Sequence, residues 1–235
     1  METPYRSPTL SSFPSNASLK DFEKTSDNED LRIISSPSRG ANYKTRAAEA
    51  VALLRIYSTT GSGSSSSFTN LGHSWLMITN LSGSTANIAG INVADGKSIT
   101  ASTWDESVDV SREHKGLWLN LDSKLNSNGI NLQNVSIQLP LRQIDLNTVN
   151  TNIKNNDKWG YLTNCSTFAS KIWNSIASGS SKVDAGAINT PVSLAKSITK
   201  VGEAESYTLL KYNTSSPHYD SVYYGYPPIK SNNNN

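Results

Sequence analysis

A single cysteine in 235 residues excludes an intrachain disulfide, so stability has to come from an ordinary buried core. The chain is long enough to build one. Charge is also scarce. Asp, Glu, Lys and Arg account for 17% of residues, against about 25% in typical soluble domains. With 21 basic and 19 acidic side chains the net charge is only +2. That balance provides no concentrated basic patch to hold nucleic acid or a membrane surface. Long apolar runs are missing too: nothing approaches the ~18 residues of a membrane span, and mean hydropathy is −0.45. The Ser/Pro-rich start has no apolar segment of the kind a Sec signal peptide needs. No phosphate-loop or dinucleotide-binding glycine pattern occurs. Asp105, Glu106 and Asp109 cluster in WDESVD, but no His or Cys stands at ligand spacing, so neither a metal nor a cofactor is expected.

What fills the sequence instead is Ser, Asn and Thr, unevenly distributed. Residues 1–40 hold four prolines and many serines without sustained periodicity, and read as a disordered leader. A folded domain is expected over residues 41–228, with regular structure beginning near Ala47, and residues 229–235 (IKSNNNN) read as a loose tail. Within the domain, Leu53–Ser58 reads as strand and GSGSSSS (61–67) as a flexible loop. LGHSWLMITN (71–80) is apolar on both faces, with Leu71, Trp75 and Met77 opposed to Leu76 and Ile78. This pattern predicts a central strand covered on both sides. Further strands are expected at 86–93, 98–104, 116–121, 134–139 and 206–212. Helical spacing appears at 142–155, at 164–179 with Gly179 as its stop, and at 191–202 after a Thr190 cap. Strands first and helices later predict an α+β fold: an antiparallel sheet packed against helices.

The lone thiol stands where such chemistry is made. Cys165 opens the helix NCSTFASKIWN, three residues ahead of its apolar stripe of Phe168, Ala169, Ile172, Trp173 and Ile176, with Asn164 as a natural cap. Amides and the positive helix end favour a thiolate there and can receive an oxyanion. A structural thiol belongs in the stripe; this one precedes it. A cysteine nucleophile needs a base, and the chain has three histidines, His73, His114 and His218. His114 in SREHKGLW reads as surface, and His218 lies in a polar C-terminal segment. His73 sits in GHSWL, on the predicted central strand after a glycine that permits close backbone approach. It is the expected partner.

GHSWL followed far downstream by NCSTFASKIWN resembles the circularly permuted branch of the papain-like NlpC/P60 superfamily, over roughly residues 50–200. The resemblance implies a permuted papain-like fold, Cys165 as nucleophile and His73 as general base. It also implies a third polar residue beside the His strand. ITASTW (99–104) would make this Ser102 or Thr100, whereas pairing of 71–79 with 85–92 would make it Asn87. Trp104, Tyr161 and Asn164 would line the substrate cleft. The implied activity is cleavage of peptide or amide bonds without a cofactor, with bacterial peptidoglycan peptides as substrate. The setting would be an antibacterial effector delivered by a dedicated secretion machine, held in check by an immunity protein. Two other readings use the same residues differently. A lipid-processing relative would acylate or deacylate lipids, and a non-enzymatic interaction module would bury both Cys165 and His73 as core.

Overall fold

The computed structural model describes residues 49–59, 72–104, 113–121, 134–204, 210–212 and 229–230. The strands are β1 (Ala52–Thr59), β2 (Ser74–Asn80), β3 (Ala86–Ile88), β4 (Ile91–Val93), β5 (Ser98–Thr103), β6 (His114–Lys115) and β7 (Leu117–Leu119). After β8 (Asn134–Leu141) come α1 (Gln143–Asn155), β9 (Lys158–Trp159), α2 (Cys165–Asn174), α3 (Pro191–Ala204), β10 (Leu210–Tyr212) and β11 (Ile229–Lys230). Seven strands form one antiparallel sheet in the order β10-β8-β1-β2-β5-β7-β11. The protein is therefore mixed α+β. The expected leader, the 61–67 loop, the WDESVD acids and His218 lie outside the described residues.

Alternation along the central strands explains how the sheet divides its two faces. Leu54 and Ile56 of β1 stand opposite Ile78 and Leu76 of β2, and these opposite Ile99 and Ala101 of β5. All are fully buried in one cluster with Phe168, Ile172 and Trp173 of α2 and Leu194 and Ile198 of α3. Each such aliphatic side chain contributes about 1.5–3 kcal/mol by leaving water. Helix α2 lies against β2, β1 and β5, α3 against β1 and β8, and α1 against α2 and β8. The other face is aromatic and polar, yet equally buried. Tyr57 and Trp75 stack at 4.8 Å beside Met77, and Arg55 donates to the Tyr57 hydroxyl and to Gln138 Oε1. This confirms the two-faced strand predicted from LGHSWLMITN.

Four element boundaries differ from the sequence reading. Residues 86–93 form a hairpin instead of one strand, because Ala89 (φ 53°) and Gly90 (φ 88°) make a left-handed turn between β3 and β4. Asn150 of α1 holds it, accepting from Ala89 N–H and donating to the Asn87 carbonyl. Helix α2 stops at Asn174 rather than 179, where the Asn174 amide bonds both backbone groups of Val183 and turns the chain back. Gly202 is passed through by α3. Ile229 and Lys230, assigned to the tail by sequence, pair with Leu119 and Trp118 at the sheet edge.

The entrance to β2 is the tightest point of the fold. Gly72 has φ +78°, and a Cβ there would lie 1.7 Å from Thr59 Oγ1. That hydroxyl instead accepts from His73 N–H at 2.9 Å, while the His73 carbonyl accepts from Thr59 N–H at 3.0 Å. Gly72→Ala combines a left-handed alanine with a steric overlap and should cost at least about 2 kcal/mol. Urea denaturation of the variant checks this; unchanged stability would contradict the described path of the chain into β2.

Candidate active site

Cys165 occupies the first position of α2 with only 8% of its surface exposed. Its placement rests on two sets of hydrogen bonds. The first belongs to Asn164. Its Oδ1 accepts from the N–H groups of Ser166 (3.0 Å) and Thr167 (3.3 Å), and its Nδ2 donates to the carbonyls of Tyr161 (3.2 Å) and Asn189 (2.8 Å). An asparagine amide has four such capacities, and all four are used. Asn164 therefore positions the nucleophile's helix and has no valence left for the substrate contact the sequence assigned to it. Asn189, in a left-handed conformation (φ 48°), completes the clamp by donating to the Leu162 carbonyl at 3.1 Å.

The second set is a buried chain of serines. Ser166 Oγ meets Ser74 Oγ at 3.1 Å, Ser74 Oγ meets Ser58 Oγ at 2.7 Å, and Ser58 donates to the Pro191 carbonyl at 2.7 Å. It ties the first turns of α2 and α3 to β1 and β2 at the end of the sheet where His73 enters. Ser166 points inward and is fully buried. Nothing in the local pattern of SWL or CST announces this chain, because it depends on strand register.

His73 is fully buried, its ring parallel to Trp75 (5.7 Å between centroids) and meeting Trp104 edge-on at 5.1 Å. The structure brings it to Cys165. Burial pushes the Cys165 thiol up, but the hydrogen bond and charge of the His73 imidazole, the Ser74 N–H and the Ser166 hydroxyl outweigh it. The net result is a thiol below its ordinary value. With Ser166 and Thr167 amides taken by the cap, Cys165's own N–H is the helix-start donor at hand for an oxyanion.

The remaining expected residues separate clearly. Ser102 lies on β5 beside the His strand and is fully buried, but its hydroxyl has no hydrogen-bond partner among the described residues. Thr100, opposite Met77, is likewise without one. Asn87 is excluded from this role: β2 pairs with β5, and Asn87 is exposed on the separate β3–β4 hairpin. The imidazole packs against the indole rings of Trp75 and Trp104. Trp104 is half-buried against His73, whereas Tyr161 is 66% exposed on the loop leading to Cys165. His114 belongs to the β6–β9 pair, half-buried with its ring near Trp159. Among the described residues no group of three His, Cys, Asp or Glu could hold a metal ion, and no helix is long and apolar enough to cross a membrane. Compared with known proteins, the chain matches no family model, no curated protein and no solved structure.

Since the folded thiol is depressed, its alkylation rate should stay high at pH values where an ordinary thiol has become protonated, and fall only as pH drops through the lowered midpoint. His73→Ala removes the main opposing interaction and should move that midpoint upward. Asn164→Ala should move it upward less, and should cost about 1 kcal/mol of stability through the lost cap. Intact-mass kinetics over a pH series checks all three variants without ambiguity, because the chain has one cysteine. A midpoint indifferent to His73 would contradict the pairing.

Proposed function

We propose that this protein is a cysteine hydrolase of peptide or amide bonds, built on the permuted papain-like arrangement that GHSWL and NCSTFASKIWN resemble. The observation that carries the reading is a thiol at a helix N-terminus held below its ordinary value chiefly by the neighbouring His73 imidazole. In the first half-reaction His73 takes the Cys165 proton and Sγ attacks the carbonyl carbon. The tetrahedral oxyanion accepts from the Cys165 N–H, and the imidazolium returns its proton to the departing amine, leaving an acyl thioester. In the second, His73 deprotonates a water that attacks the thioester, and Cys165 leaves as thiol. No step calls for a cofactor. The rings of Trp75 and Trp104 pack against the imidazole and help fix its plane.

Peptidoglycan peptides are the substrate class carried over from the resemblance. An effector role, release by a dedicated secretion machine and an immunity partner belong to the same proposal. Incubation with muropeptides and with synthetic peptides, followed by mass spectrometry, tests it. Cys165→Ala should abolish turnover and His73→Ala should reduce it about 10²–10⁴-fold. Ser102→Ala, whose hydroxyl bonds nothing described, should change kcat/KM by less than about threefold. Full hydrolysis by Cys165→Ala would overturn the reading, and a large loss in Ser102→Ala would make Ser102 the third catalytic residue.

A further inference from the structure

Four large apolar side chains are strongly exposed among the described residues, and three of them lie on the two segments that meet at Asn164, the residue before Cys165. Tyr161 (66%) and Leu162 (58%) lie on the loop that ends at Asn164. Ile188 (58%) lies on the turn that ends at Asn189. The two segments are stitched together by the Asn164 and Asn189 amides described above, which bond the carbonyls of Tyr161, Leu162 and Asn189. The rim is therefore carried by a fixed double loop and not by a chance scatter of surface residues. Its own residues are uncharged, although a carboxylate holds each loop: Glu113 accepts from the Thr163 hydroxyl at 3.0 Å and Asp184 from Gly186 N–H at 2.8 Å. Residues 159–170 (WGYLTNCSTFAS) and 185–195 (AGAINTPVSLA) contain no Asp, Glu, Lys or Arg. In a chain this hydrophilic, apolar exposure gathered beside a reactive thiol marks a contact surface rather than a solvated one.

We infer that the substrate presents an uncharged, bulky apolar side chain next to the bond that Cys165 attacks, seated on Tyr161, Leu162 and Ile188. This deepens the hydrolase reading above and rests on it. The size of the rim favours one side chain over a lipid tail. Three residues on two short loops can cover an aromatic or leucine-sized group of about 150–250 Å², whereas an acyl chain needs a long continuous apolar groove. An acidic group at the same place would have to leave water against apolar surface near the carboxylates of Glu113 and Asp184, and a basic group would find both already engaged, Glu113 by Thr163 and Lys158 and Asp184 by Gly186 N–H.

The test uses the full chain and its single cysteine. Peptidyl chloromethyl ketones carrying Phe, Leu, Ser, Asp or Lys beside the warhead would be compared by intact mass, with iodoacetamide as a probe too small to read the rim. The inference predicts labelling at least about tenfold faster with Phe and Leu than with Asp and Lys, the equivalent of ~1.4 kcal/mol. Leu162→Asp and Ile188→Asp should collapse that ratio. Ile144→Asp, which alters the fourth exposed apolar residue on α1 (65%), should leave it intact. Equal rates across the series would overturn the inference, as would a preference that survives both rim variants. A fatty-acyl chloromethyl ketone outpacing every peptide probe would overturn it in favour of a lipid substrate. If iodoacetamide labelling is itself slow and indifferent to His73→Ala, the hydrolase reading fails and the inference falls with it. The two failures are thus distinguishable.

Discussion

The pairing of the His73 imidazole with the Cys165 thiol is the interaction around which this end of the molecule is arranged. Burial alone makes a thiolate costly, and Cys165 is almost wholly buried. What reverses the balance is a set of groups converging from the start of β2 and the start of α2: the His73 imidazole, the Ser74 N–H and the Ser166 hydroxyl. Gly72 lets the backbone approach Thr59 closely enough to fix His73. The serine chain fixes the height of α2 over the sheet. Asn164 fixes where the helix begins.

Much of the frame was readable because it rests on local rules. Two-sided hydrophobicity marked β2 as central, and its alternation placed Trp75 and Met77 opposite Leu76 and Ile78. The position of Cys165 ahead of an apolar stripe, and Asn164 as its cap, follow from helix periodicity and capping chemistry. Boundaries were less legible. The 86–93 segment carries strand-like residues throughout, and only the left-handed Ala89–Gly90 turn, with a non-glycine at its first position, converts it into a hairpin. Helix α2 ends early because Asn174 bonds Val183, nine residues on, a contact that no local pattern encodes.

The site was legible in its two reacting groups and opaque in their support. Ser58, Ser74 and Ser166 are unremarkable in a serine-rich chain, and their meeting requires the β1–β2 register and the seating of α2. Asn189 had a weak signal, an asparagine just before a Thr-Pro helix start, which suits a left-handed residue. The third polar residue was sought by strand adjacency, and adjacency did place Ser102 next to the His strand. Adjacency does not supply a hydrogen bond. The imidazole packs against the rings of Trp75 and Trp104, contacts that the strand pattern alone did not announce.

The account stands or falls on the protonation state of one sulfur. A pH titration of thiolate ultraviolet absorbance in the native protein, taken as the difference from Cys165→Ala, reads that state directly. The account predicts a thiolate signal emerging below the pH at which an ordinary cysteine ionises. A signal that emerges only above it, as burial by itself would dictate, would contradict the central claim and return Cys165 to the core.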